Sequence, residues 1–183
     1  MLLAANPVLQ AARDYWRALP HPVNIPDFRL IDAATIPRII LPHMIIAEVN
    51  RGNFDLGRFR LCGHEIARWF RTLPEGLDAR AFAELADPVY THYMRDLLAE
   101  VIQRRKPVYC KSVYTLPPLE PGEPDNVITA ERLVLPLADG ATAVECTIIV
   151  ETLTASDTRA GPIRLLPPEP GVTVSHGPFE VAG

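Results

Sequence analysis

The chain changes its hydrophobic period several times, and each change marks an element. Val8, Ala12, Tyr15, Trp16 and Leu19 recur at helical spacing over residues 7–19. Asn6 and Pro7 read as the cap and first position of that helix. Pro20 and Pro22 end it, because proline cannot supply the next amide hydrogen. A helix this short with two large aromatics must bury its stripe, on its own domain or on a second copy. Residues 20–42 keep no period and read as an ordered connector held by Phe28, Ile31, Ile36, Ile39 and Ile40, with one capped turn at Asp32–Ile36.

Residues 43–49 read as a strand, and the turn formers of Arg51–Gly57 as a hairpin connection. In the next strand, 58–62, alternation puts Phe59 and Leu61 on one face and Arg58 and Arg60 on the other, a half-wet pattern that antiparallel sheets allow. Gly63 closes it. Ile66, Trp69 and Phe70 return to helical spacing over 64–71, Pro74-Glu75-Gly76 breaks that helix, and residues 80–86 can add another short one. Pro88 opens the longest pattern: Val89, Tyr90, Tyr93, Met94, Leu97, Leu98, Val101 and Ile102 form one apolar stripe. Arg104, Arg105 and Lys106 follow at its C-terminal end, where the helix dipole favours positive charge.

Pro107 marks the switch to strands at 108–116, 127–137 and 142–152. Leu133, Leu135 and Leu137 share one face, and Val144, Cys146, Ile148 and Val150 alternate with Glu145, Thr147 and Glu151. Asp139-Gly140 is a hairpin turn signal. Residues 117–125 are a proline-rich loop, and the chain from Thr154 on is expected to be mostly irregular, although Ile163–Leu166 can pack on the sheet. The fold class is α+β: a hairpin of two strands and a meander of three make a five-stranded antiparallel sheet. Its connecting helices cover one face, and something else must cover the other. Three segments follow: an N-terminal flanking helix over 1–22, a central domain over 23–153 and a proline-rich tail over 154–183.

Composition narrows the function classes. A net charge of -4 gives no broad basic surface of the kind nucleic acid requires. Cys62, Cys110 and Cys146 are odd in number and widely spaced, a poor disulfide framework, and each sits in a strand-like run as a small hydrophobe. No apolar run is long enough to cross a membrane, and the first residues lack a basic segment ahead of an apolar one, so a cytoplasmic location is expected.

Four pieces in order carry a family resemblance: Tyr15–Leu19, Ile39–His43 ahead of the first strand, Phe59–Gly63 in the second, and Glu131–Leu137 before the Asp139-Gly140 turn. Together with the element order they resemble the bacterial PAS-like family of short stand-alone proteins, over roughly residues 9–152. The resemblance implies a PAS-like sheet with helices over its concave face, and use as a sensory or interaction module. It brings no catalytic residue set. His64-Glu65 after Gly63, and Arg71–Pro74 further on, depart from the family's small, glycine-bearing corner.

If a small molecule is held, the resemblance puts it between the long helix and the inner sheet face, with Trp69, Phe70, Tyr90, Met94, Cys110 and Cys146 as candidate liners. The alternative is that these side chains fill the core and the chain is a protein–protein interaction module. Haem-binding domains of this fold take a histidine from the long helix, but His92 falls off the apolar stripe. Cys62 and His64 alone are too few ligands for a metal site. The flavin-type reactive cysteine motif, a Gly-x-Ser-x-Gly elbow and a phosphate-cradling glycine loop are all missing from the sequence, so no metal, no cofactor and no enzymatic activity is assigned. In PAS domains an N-terminal helix commonly packs across the open sheet face and joins two copies. Val8, Ala12, Tyr15, Trp16 and Leu19 are therefore the expected homodimer interface. With no kinase, cyclase or helix-turn-helix segment, any signal is expected to pass to a separate protein.

Overall fold

A computed structural model describes residues 6–22, 24–70, 88–116, 126–140, 143–155, 164–165 and 177–178. The expected short helix over 80–86 and the loop over 117–125 lie outside these residues.

Helix α1 (Pro7–Ala18) begins where Asn6 Oδ1 accepts the amide hydrogens of Val8 and Leu9. A connector of single 3₁₀ turns leads to β1 (Met44–Asn50) and β2 (Asp55–Cys62), an antiparallel hairpin. Helix α2 (His64–Phe70) follows, then the long helix α3 (Pro88–Arg104). Strands β3 (Val108–Leu116), β4 (Asn126–Ala138) and β5 (Val144–Ala155) form the meander. Strand β5 then pairs with β1, so the order among the described residues is β2-β1-β5-β4-β3, every neighbour antiparallel. Two two-residue pieces of the tail, β6 (Arg164–Leu165) and β7 (Gly177–Pro178), lie along the outer side of β3.

Both faces of this sheet are buried. On one, Tyr93, Met94, Leu97, Leu98 and Val101 of α3 pack on Ile45, Ala47, Val49, Phe59, Val108, Cys110, Ala130, Val134 and Ile149. On the other, Leu9, Ala12, Tyr15, Trp16 and Leu19 join Ile25, Ile36 and Ile40 of the connector over Met44, Ile46, Leu133, Leu135, Leu137, Cys146, Ile148 and Val150. The second face, which the connecting helices cannot reach, is thus closed by the N-terminal arm.

Polar groups hold that arm in place. Asn6 Nδ2 donates to Glu131 Oε2 at 2.8 Å and to Thr152 Oγ1 at 2.7 Å. At the other end of α1, Trp16 Nε1 donates to the carbonyl of Pro136 at 2.8 Å, in a buried setting. Strand β3 starts at Val108 opposite Val134, so Pro136 lies past its end. A proline fits this ladder only with its nitrogen turned away from β5, and its carbonyl then turns the same way. Trp16 satisfies that carbonyl. Two residues on, the Ala138 amide donates to Pro26 at 2.8 Å, and Asp27 bridges Ala138. The arm therefore occupies the edge of β4 that β3 leaves open.

Strand β2 departs from simple alternation. Its register against β1 shifts between Ile46 and Ala47, so Ala47 faces Phe59 while Ile46 faces Leu61. One extra residue moves the following side chains to the opposite face. Phe59 joins the core beneath α3, and Leu61 packs against the core beneath α1. The expectation that Phe59 and Leu61 share a face is corrected by this bulge. Arg60 lies with its guanidinium 4.4 Å from the centre of the Phe28 ring and 2.8 Å from Glu48.

Candidate functional site

The face beneath α3 carries a row of polar side chains where alternation alone reads solvent. Cys110 on β3 faces Arg132 on β4, and Arg132 faces Glu151 on β5, in consecutive cross-strand register. Arg132 Nη2 donates to Glu151 Oε1. The two side chains are 0% and 3% exposed. Along the strands their same-face neighbours are apolar: Ala130 and Val134 flank Arg132, and Ile149 and Leu153 flank Glu151. Two charges taken out of water each cost several kcal/mol, so the pair exists only because each charge answers the other.

Helix α3 closes over this row. Tyr93 packs in the same buried cluster as Cys110 and couples electrostatically to Cys110 and Arg132. Burial pushes the Tyr93 phenol above its ordinary range, Cys110 adds to the effect, and Arg132 opposes it. Burial likewise raises the Cys110 thiol, against a smaller opposing pull from Arg132. Both groups are therefore neutral at physiological pH. The site is one fixed cation, one carboxylate and three neutral hydroxyl or thiol groups, walled by Met94, Leu97, Val134 and Ile149.

No family model, no curated protein and no solved structure matches this chain. The geometry itself is the basis for any reading of function.

The structure divides the expected pocket residues. Met94 and Cys110 are brought together beneath α3. Cys146 is not; it sits beneath α1 on the opposite face, because the alternation of β5 that buries Val144, Ile148 and Val150 buries Cys146 with them. Its thiol is pushed up to about 11, chiefly by burial. The side chains of Trp69, Phe70 and Tyr90 lie outside the described residues. His92 is exposed and lies 3.5 Å from Asp96 on the outer side of α3. Cys62 is half-buried and His64 exposed. Among the described residues no three His, Cys, Asp or Glu side chains group as metal ligands.

The stripe expected to join two copies is occupied within the chain. Ala12, Tyr15, Trp16 and Leu19 are buried on the chain's own sheet, and Val8 is half-buried at its edge. While α1 is docked, a second copy can meet only its outer side, where Pro7, Asp14, Arg17 and Ala18 are exposed.

Arg132, Glu151, Ser112 and Tyr93 are the residues that a search for metal, nucleophile and phosphate motifs passes over. The usable signal is a charge in a strand whose neighbours two positions away on both sides are apolar: Ala130-x-Arg132-x-Val134 and Ile149-x-Glu151-x-Leu153.

Proposed function

We propose that this chain is a PAS-like sensory or regulatory domain, cytoplasmic and without catalytic activity. In this reading it holds a small molecule between α3 and the sheet and acts through a second copy or a separate partner protein. The order β2-β1-β5-β4-β3, with a long helix across one face and a flanking helix across the other, supports the PAS-like assignment. One observation carries the regulatory reading. Arg132↔Glu151 and Glu131↔Thr152 are adjacent rungs of the β4–β5 ladder, and they point to opposite faces. The first rung is the buried pair beneath α3, and the second is held by Asn6, the cap of α1. A change at the pair has one peptide unit to cross before it reaches the anchor of the flanking helix.

Native mass spectrometry of gently purified protein tests the ligand half of this reading. The expected result is a species heavier than the apoprotein that disappears on denaturation. The bare apoprotein mass under every growth condition counts against a held ligand. It favours instead the interaction-module reading, for which the packing of Met94, Leu97, Leu98 and Val101 on the sheet speaks. Sedimentation separates the partner classes: a dimer supports self-association through the outer side of α1 or its exchange between copies, and a monomer at micromolar concentration points to a different protein.

A further inference from the structure

We propose that the outer edge of β3 is a docking site for an extended segment of a partner polypeptide, and that the chain's own tail is the strap that closes it. This rests on the reading that the chain acts through a separate protein, and it names the surface used. The edge already takes extended chain. Arg164 and Leu165 of β6 pair antiparallel with Thr115 and Tyr114, and Gly177 and Pro178 of β7 pair antiparallel with Tyr109 and Val108. Continued along β3 in its own register, β6 would bring Pro170 opposite Tyr109; Gly177 stands there instead, seven residues later. Proline has no amide hydrogen to give a ladder, so Pro167, Pro168 and Pro170 bar one continuous strand. The two described pieces of the tail therefore hold only the ends of the edge. They engage four of the nine β3 positions, and among the described residues Cys110, Lys111, Ser112 and Val113 pair on the β4 side alone.

Each piece contributes two rungs. Tethering makes so small a contact sufficient, because a segment joined to the same chain acts at an effective concentration on the order of millimolar. A segment free of proline can pair with all nine positions of β3, more than twice the tail's share, and so replaces the strap by adding a strand to the sheet. A bare edge pairs with any strand it meets, and proline placed along it is a guard against that; Pro178 opposite Val108 fits the role. Piece β6 also lies beside α3, so the strap spans the seam between the helix and the edge. The partner's composition follows from what it must face. Lys111 is exposed near the middle of the edge, 3.5 Å from Glu131 on the β4 side, and favours a second acidic residue opposite it on the outer side. Val108 and Val113 favour β-branched residues around that acid.

The probe is an end-capped, fluorescently labelled peptide of alternating threonine and valine, as long as β3, with one glutamate at the position that falls opposite Lys111. Its binding to the full chain is followed by anisotropy, in wild type and in the double variant Arg164→Pro/Leu165→Pro, which removes both amide hydrogens of β6. Gly177→Pro, which loosens the other end, repeats the comparison if the first variant does not fold. The expected result is binding roughly tenfold tighter or more in the variant, because the tethered competitor is gone. Exchanging the peptide's glutamate for lysine is expected to weaken binding, and a peptide with proline at alternate positions is expected not to bind. Equal affinity for wild type and variant overturns the strap. No binding to either overturns the docking site and leaves a partner protein to be sought on another surface. A proline peptide that binds as well overturns strand pairing as the mode. Sedimentation of the variant without peptide decides between occupants: a monomer supports a separate partner, whereas a dimer gives the opened edge to a second copy and overturns the partner named.

Discussion

Arg132 on β4 and Glu151 on β5 face each other across the ladder beneath α3, and neither reaches solvent. Removing one partner strands the other charge in an apolar layer. Arg132→Met alone, or Glu151→Leu alone, is expected to cost about 3–5 kcal/mol, whereas the two changes together cost far less, because no charge is then left unanswered. Urea unfolding of the two single variants and the double variant, completed as a cycle, measures the difference. Equal losses in all three would show that the pair contributes to stability as a pair, contrary to this expectation.

Trp16 both fills the core beneath α1 and satisfies the carbonyl of Pro136. Trp16→Phe keeps most of the apolar volume and leaves that buried carbonyl without its donor, at a cost of about 1–3 kcal/mol. Trp16→Ala also opens a cavity and is expected to cost about 3–5 kcal/mol. Thermal unfolding should rank wild type above the phenylalanine variant and that above the alanine variant. A phenylalanine variant as stable as wild type would mean the indole hydrogen bond adds nothing.

Asn6 does two jobs from one side chain, since its oxygen caps α1 and its nitrogen bonds Glu131 and Thr152. Asn6→Asp preserves the capping oxygen but places a carboxylate beside Glu131, while Asn6→Ala loses both functions. Loss of the cap costs about 1 kcal/mol. Hydrogen exchange at α1 amides is therefore expected to accelerate in both variants, with strand amides in β1 protected as before. Unchanged α1 protection in Asn6→Asp would assign the whole effect to capping.

Gly63 is required by close approach. A Cβ there would stand 2.3 Å from the carbonyl oxygens of both Leu41 and Pro42. These are backbone atoms and cannot turn aside. Gly63→Ala is expected to destabilise by about 1–3 kcal/mol through forced displacement of the chain. A midpoint in urea no lower than wild type would show that the turn ahead of β1 yields easily.

Asp27 links the connector to the β4–β5 turn. Its carboxylate accepts from the Arg29 side chain and amide and from the amide of Gly140, which has a φ of +66°. The Arg29 hydrogen bond, with smaller help from the backbone donors, holds its pKa down to about 2 from 3.8. A folded-state pKa below the unfolded value means the unfolded chain binds the proton first. The contribution is complete above the unfolded pKa of 3.8 and is lost as pH falls through about 2. Stability measured across that window should drop more steeply in wild type than in Asp27→Asn. Parallel profiles would remove Asp27 from the acid response.

The helices and strands were legible because their apolar residues repeat. The stripe from Tyr93 to Val101 faces the sheet as its spacing implies, and β3 begins and ends where Pro107 and the loop after Leu116 place it. Strand β2 was less legible. The bulge between Phe59 and Leu61, the first of two register shifts against β1, is one unpaired residue, and nothing in Arg58–Cys62 distinguishes it from regular alternation until β1 lies beside it. Arg132 and Glu151 were not singled out for a related reason. A charge opposite an apolar face signals solvent only when that side of the sheet is wet, and here α3 covers it.

By itself, the sequence determined which segments are helix and which are strand, the hairpin and meander connections, and the need to cover a second apolar face, since these follow from local periodicity, proline and turn chemistry. Only the tertiary structure decided that α1 covers that face within the same chain, that Cys110 and Cys146 lie on opposite sides of the sheet, and that Arg132 meets Glu151 beneath α3. Those outcomes depend on which strands become neighbours and on what packs above them. Residues 19 apart in sequence, like this pair, share a site only after the ladder has set its register.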